Sequence, residues 1–437
     1  MSYAPYPAYK DSGIPWLGQV PEGWEVKPIK YVSTFNDEAL PEATDPELML
    51  NYVDISSVSL VEGIKKIEQV EFEKAPSRAR RVVREGDTIV STVRTYLKAI
   101  APIRNPVDNM IVSTGFAVIR PDQTMNPDFL GYFIQSEGFV GEVVSKSTGV
   151  SYPAINPGDL VAISGVRPPF KEQTAIADFL DEKTAEIDDL IAKKEELLRL
   201  LAEQRTALIT HAVTKGLNPN APMKPSGVVW FDQVPAHWQV RRLKDVGTLT
   251  GGTGFPHEFQ NVQGEELYFY KVGDLAKSED GIHLTSAPHT IGRETAAKLR
   301  ATVIPPDAIL YAKIGAALLL NRRRISTANC CIDNNMTAWI VDPSKVLPLW
   351  GFYWMSTVDF GEHTNPGAVP SLSEGYQSIL PITLPPLDEQ QAIVGQLTNE
   401  TKAIDQTAQK TREAIEHLRE YRTALIANAV TGKIKVA

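Results

Sequence analysis

Two cysteines stand in this chain of 437 residues, and they are neighbours, Cys330 and Cys331. Adjacent cysteines cannot build an ordinary disulfide framework, which fits a reducing cytoplasm. The seven histidines are scattered without metal-ligand spacing, so neither a metal site nor a cofactor is expected. There is no Gly-rich phosphate loop closing on Gly-Lys-Ser/Thr, no strand followed by GxGxxG, no GxSxG elbow and no HExxH. An amino-methyltransferase needs an Asn/Asp-Pro-Pro-aromatic element; the nearest strings, Asn126-Pro127-Asp128-Phe129 and Asn365-Pro366-Gly367, lack the second proline. Catalytic residues are therefore expected to be none. Long apolar runs are scarce too: the most apolar, Ala308 to Leu320, is shorter than a membrane span, contains Lys313 and reads as a buried strand. The opening MSYAPYPAYKDSG has neither the basic start nor the apolar core of a signal peptide, and no membrane partner is expected.

What the chain does have is a duplication. Residues Pro168 to Thr214 recur 217 positions later as Pro385 to Thr431, with 22 identities over 47 aligned positions and no insertion. The first copy reads as one long helix: the pair Pro168 and Pro169 suits its entrance, Gly216 and Pro219 suit its exit, and no glycine or proline interrupts between. Leu180, Ile187, Leu201 and Leu208 form one apolar column, with Ile191, Leu198 and Ala212 beside it. The second copy keeps the register, with Leu397, Ile404, Leu418 and Leu425 in one column and Ala408, Ile415 and Ala429 in the other. This is a coiled-coil seam, and its natural partner is its own repeat. Lys194 and Thr411, Arg205 and Arg422 are polar places in it that weaken packing but help fix register. A helix of about 43 residues spans roughly 65 Å.

A second repeat opens each half. Gly13 to Val32 and Gly227 to Val246 share nine of twenty positions, including Trp16 with Trp230, Trp24 with Trp238 and the Gln-Val-Pro triplets. Paired tryptophans around a proline turn are packing anchors. Between opening and helix, each half reads mainly as strands and turns. Expected strands are Asn51 to Val58, the stretch from Gly86, and Val112 to Ile119 in the first half. In the second they are Leu267 to Leu275, the stretch from Pro306, and Met336 to Val341, with the Gly86 and Pro306 stretches alternating like half-buried strands. A short helix packed by Phe129, Tyr132 and Phe133 is expected over Asp128 to Phe139, and one packed by Trp350, Phe352 and Trp354 over Leu347 to Phe360. Thr214 to Gly227, with three prolines, reads as a linker.

The net charge of −9 hides an uneven distribution. Residues 171 to 213 carry ten acidic and six basic side chains, and 388 to 430 seven and five, so the helices hold most of the excess. Lys74 to Arg104 instead has eight basic residues against two acidic, and Arg293 to Arg324 has seven against two. Two such clusters at corresponding places point to double-stranded DNA, with phosphates neutralised and guanine edges read in the major groove. The candidate contacts are Lys74, Arg78, Arg80, Arg81, Arg84, Arg94 and Lys98, then Arg293, Lys313, Arg322, Arg323 and Arg324.

The pattern GIPWLGQVPEGW, the junction PPFKEQTAI, the phrase RTALITHAVTKGLNP and the repetition of all three resemble the specificity subunit of type I restriction-modification systems. That resemblance implies an α+β chain: two similar strand-rich target-recognition domains, each followed by a long helix, the helices packed as an antiparallel coiled coil with pseudo-twofold symmetry. It divides the chain into a recognition domain at 1–166, a spacer helix at 167–214, a linker at 215–226, a second recognition domain at 227–383 and a C-terminal helix at 384–437. Each domain would read one half of a split, asymmetric target, with helix length as the ruler between the halves. Two modification subunits would dock on the scaffold to methylate adenine, and ATP-dependent restriction subunits would join through them. The scaffold and subunit-interface residues it implies are Pro168, Pro169, Glu172 and Gln173 with Pro385, Pro386, Glu389 and Gln390. The seam supplies Ile187, Ile191, Leu198, Leu201, Leu208, Ile404, Ile415, Leu418 and Leu425. The competing expectation is a coiled-coil protein-interaction scaffold without sequence-specific DNA binding.

Overall fold

A computed structural model describes residues 4–364 and 369–436. The first three residues and the string Asn365-Pro366-Gly367 lie outside the described residues. The chain divides into two units, Met1–Glu195 with Arg412–Ala437, and Glu196–Thr411.

Two helices dominate, Phe170–Lys215 with 46 residues and Leu387–Val430 with 44. Glu172 in the first turn of one, and Asp388 and Glu389 in the other, place negative charge where the helix dipole favours it. Each helix ends on a left-handed glycine, Gly216 at φ 73° and Gly432 at φ 72°, a conformation that costs other residues energy. Along the first helix Leu180, Thr184 and Ile187 are buried, and Ile191, Lys194, Leu198, Leu201, Arg205 and Leu208 are half-buried before Ala212 is buried again. That three-and-four rhythm is the expected seam.

In the first unit Ile176, Leu180 and Ile187 share a core with Leu425, Ile426, Ala429 and Val430, so the start of one helix meets the end of the other. The pair is antiparallel. In the second unit Ile209, Ala212 and Val213 meet Ile393, Val394 and Leu397 in the same sense. The seam arginines lean out to carboxylates on the opposite helix: Arg422 Nε donates to Asp188 at 2.9 Å in the first unit, and Arg205 Nε to Asp405 at 3.0 Å in the second. These two pairs are repeat equivalents with the helices exchanged, as a duplicated antiparallel pair demands.

The first unit holds two four-stranded sheets. One runs Ile100–Pro102, Thr88–Ser91, Phe116–Pro121, Ser33–Phe35, all antiparallel. The other runs Glu68–Glu71, Met49–Val53, Met110–Ser113, Ala79–Val82, with the middle pair parallel. In the second unit a five-stranded sheet orders Gly247–Gly251, Met336–Val341, Ile309–Ala312, Arg323–Ser326, His283–Leu284. A three-stranded sheet orders Thr290–Ile291, Leu267–Tyr270, Cys330–Ile332, and its last pair is again parallel. Aromatics cover these sheets: Phe129 and Phe133 in the first unit, Trp350 and Trp354 in the second, are wholly buried.

Several strand expectations need correction. Thr88–Ser91 and Ile309–Ala312 are buried at every position rather than alternately, because helices and neighbouring loops cover both faces. The Ala308 to Leu320 run is strand only to Ala312 and then a helical turn, Ala316–Leu319. Val112 to Ile119 breaks into Met110–Ser113 and Phe116–Pro121, which join different sheets. Asn51 to Val58 gives way to a 3-10 turn at Ile55–Ser57 capped by Asp54, and Leu267 to Leu275 to another at Val272–Ala276. The Asp128 to Phe139 helix is two, Pro127–Gln135 and Glu137–Ser145. Part of the linker is a strand, Met223–Val228, paired with Phe231–Pro235.

In each unit the chain's opening and closing strands pair antiparallel just before the long helix, Glu25–Pro28 with Ser164–Arg167 and Gln239–Arg242 with Pro381–Leu384. Trp24 and Trp238 are fully buried anchors beside them. Each roofs a helix-ending glycine: a Cβ on Gly432 would come within 3.1 Å of the Trp24 ring, and one on Gly216 within 3.1 Å of Trp238. Trp230 departs from the anchor role and stands partly exposed beside His363. Among the described residues no helix is long and apolar enough to cross a membrane.

Candidate nucleic-acid interface

The junction residues are placed alike in both units. Gln173 is fully buried; its carbonyl accepts from the Asn126 N–H at 2.7 Å, and its amide donates to the carbonyls of Thr124 at 3.1 Å and Pro168 at 2.8 Å. Gln390 repeats this with the Leu347 N–H at 2.9 Å and the carbonyls of Lys345 at 2.8 Å and Pro385 at 3.0 Å. Asn126 and Leu347 are the N-caps of the aromatic-rich helices, so each glutamine clasps the long helix to its own domain. Both are inside the fold and are not exposed at its surface. Pro168 and Pro385 are buried with them, while Pro169 and Pro386 are exposed. Glu172 accepts from the Tyr6 hydroxyl, and Glu389 pairs with His237 Nε2 at 2.7 Å. Of the seam residues, Ile187, Ile415 and Leu425 are buried, and Ile191, Leu198, Leu201, Leu208, Ile404 and Leu418 are half-buried along the helix pair.

The basic cluster of the first unit is largely occupied by internal partners. Arg78 ion-pairs with Asp54 at 2.8 Å and donates to the Tyr52 hydroxyl at 3.2 Å, and these contacts hold its proton more tightly than usual. Lys74 pairs with Glu71 and Arg84 with Glu38. Arg80 lies 4.5 Å over the Phe72 ring. Arg81 is half-buried, which lowers its pKa, and its Nε has no hydrogen-bond partner. Lys65 and Lys66, which precede the cluster in sequence, line one groove with Tyr52, Asp54, Glu68, Lys74 and Arg78. Arg94 and Lys98 differ from the rest. Both are exposed, and neither makes an ion pair among the described residues.

In the second unit Arg293 pairs with Glu266 at 2.7 Å, and Lys313, whose side chain is 13% exposed, with Glu374 at 3.1 Å. Arg323 departs furthest from the expectation. It is 4% exposed, stacks 4.1 Å over Phe360, and donates to the carbonyls of Asn321 at 2.6 Å and Val358; burial pushes its pKa down to about 10. A guanidinium so placed ties Asn321 to Val358 inside the fold and is not presented to solvent. Arg324 is half-buried, and burial followed by the charge of Arg322 lowers its pKa. Arg322 is exposed without an ion pair among the described residues. The structure thus separates three free cations, Arg94, Lys98 and Arg322, from a larger set that charge counting had lumped together.

Residues 235–417 match the family model described as Type I restriction modification DNA specificity domain. The chain is similar to type I restriction-modification specificity subunits. The similarity extends past the matched segment: the StySPI specificity subunit of Salmonella potsdam is 21% identical over 445 residues, covering 95% of this chain and 90% of that one. The MjaIX specificity subunit of Methanocaldococcus jannaschii is 22% identical, and its alignment spans 60% of each chain. The fold is shared as well. The HsdS subunit from Thermoanaerobacter tengcongensis covers 95% of this chain and 98% of its own at 24% identity and TM-score 0.57. A chain from a structure of complex assembly and conformational transition in the type I R-M system covers 95% and 99% at 23% identity and TM-score 0.77. The expected architecture, strand-rich domains with two long helices packed together, is the one shared.

Proposed function

We propose that this chain is the non-catalytic DNA-reading subunit of a type I restriction-modification complex in the cytoplasm. Each unit presents a recognition domain to one half of a bipartite, asymmetric target, and the two long helices carry two modification subunits, through which restriction subunits join. Adenine methylation and ATP-dependent cleavage belong to those partners. The observation that carries this reading is the match of 235–417 to a DNA specificity domain whose exposed rim bears an unpaired cation, Arg322. The first unit repeats it with Arg94 and Lys98. Unpaired cations on a chain of net charge −9 attract polyanions locally while the rest of the surface repels them, which favours one docking face.

Mapping methylated adenines across the host genome, with and without a deletion of this chain, tests the proposal. A split motif that loses methylation in the deletion strain is expected. An unchanged methylome would favour the protein-interaction scaffold instead.

A further inference from the structure

In each unit a central strand of the main sheet leads into a tight helical turn bracketed by left-handed residues. In the first, Thr88–Ser91 leads to Thr95–Leu97, flanked by Arg94 at φ 50° and Lys98 at φ 53°. In the second, Ile309–Ala312 leads to Ala316–Leu319, between Gly315 at φ 84° and Asn321 at φ 53°. Both turns are tied by one β-bridge to the same place in the repeat, Val93 to Ala154 and Ile314 to Ser371. Arginine and lysine in the left-handed region, as at Arg94 and Lys98, carry strain, which concentrates where a fold presents a fixed shape to a ligand.

The shape presented is apolar. Tyr96 is 51% and Leu97 52% exposed, with Tyr152 beside them at 65%; in the second unit Leu319 is 48% and Leu320 56% exposed. The rim is cationic: the Arg94 guanidinium lies 4.8 Å over the Tyr152 ring, Lys98 closes the turn, and Arg322 follows Asn321. An apolar tip flanked by cations without ion pairs, two at the first turn and one at the second, complements a ligand with negative charge outside and stacked apolar faces inside. Duplex DNA has that profile. The two tips also differ in sequence, whereas the long helices keep 22 of 47 positions identical. A tip that gripped the same protein partner twice would be kept alike; one that reads two different half-sites need not be.

We propose that the turns carrying Tyr96 with Leu97 and Leu319 with Leu320 are wedges that enter the base stack of duplex DNA, one at each half-site, with Arg94, Lys98 and Arg322 on the flanking phosphates. The proposal rests on the DNA-reading function above. Its test uses the full chain in complex with its modification subunits, and short duplexes carrying the mapped motif with both half-sites intact or with one scrambled. Because the tips are exposed, Tyr96→Ala/Leu97→Ala and Leu319→Ala/Leu320→Ala should fold normally, as circular dichroism would report. Each double variant is expected to weaken binding to the intact duplex about tenfold or more, the loss typical of a base-stacking side chain. Each should also lose the penalty for scrambling its own half-site and keep the other. The salt dependence of binding should not change in these variants, whereas Arg94→Ala/Lys98→Ala should reduce the log-log salt slope by about one per phosphate contact removed. Wild-type affinity in both wedge variants would overturn the proposal, as would variants that lose their modification subunits on purification, which would make the turns protein docks. If instead the wild-type complex binds the mapped motif no better than a scrambled duplex, the DNA-reading function itself fails.

Discussion

Gln173 and Gln390 show how much of a repeated sequence can be explained by one side chain. Each satisfies one backbone donor and two acceptors that the helix junction leaves without other partners. Gln173→Ala strands the Asn126 N–H and the carbonyls of Thr124 and Pro168 in a buried site, and a loss of roughly 2–3 kcal/mol is expected. Urea denaturation monitored by tryptophan fluorescence would measure it, and a loss within the error of the midpoint would refute the clasp. Cys330 and Cys331 make a pH prediction. Burial pushes the Cys330 thiol from 9.0 up to about 12 and the Cys331 thiol to about 11. The fold therefore holds these protons more tightly than the unfolded chain does. Their contribution to stability is intact below pH 9 and is lost as pH rises through 11 to 12. A denaturation midpoint that stays level from pH 9 to 12 would contradict this, as would rapid alkylation of either thiol in the native protein at pH 8.

Among the elements, the long helices were the most legible and the strands the least. A seven-residue apolar period sustained from Leu180 to Leu208 leaves one solution, whereas strands of four residues leave no period to read. The seam also ranks its own interactions. Asp188 and Arg422 have side chains 50% and 22% exposed, so water screens the pair, and a double-mutant cycle should return a coupling below about 1 kcal/mol. Leu425→Ala, by contrast, removes a buried side chain from the first unit's core and should cost roughly 2–5 kcal/mol in chemical denaturation. A coupling that exceeded the leucine loss would mean that the seam is held by charge and not by burial.

For the whole molecule the duplication has a consequence that can be measured. The core of the first unit is completed by Leu425, Ile426, Ala429 and Val430 from the end of the chain. Their repeat equivalents, Leu208, Ile209, Ala212 and Val213, are the same residues. A chain of residues 1–214 therefore carries its own substitute for the missing segment, though only a second copy can supply it in the antiparallel sense. Sedimentation equilibrium should find that fragment dimeric, with Ile209→Asp shifting it to monomer; a stable monomeric fragment would show that the helix ends are interchangeable in sequence but not in packing.

The internal repeat, the helix period and the tryptophan anchors at Trp24 and Trp238 were determined by sequence alone, because each is a local rule or a comparison of the chain with itself. Charge counting located both basic clusters but could not tell Arg322 from Arg323, one residue apart. Only the tertiary structure decided that, because Arg322 lies just outside the strand that begins at Arg323, and what covers the Arg323 side chain is set by segments far away in the chain, here Val358 and Phe360. The exposed tips at Tyr96 with Leu97 and Leu319 with Leu320 were invisible for the same reason: an apolar residue reads as core until the fold leaves it without a neighbour.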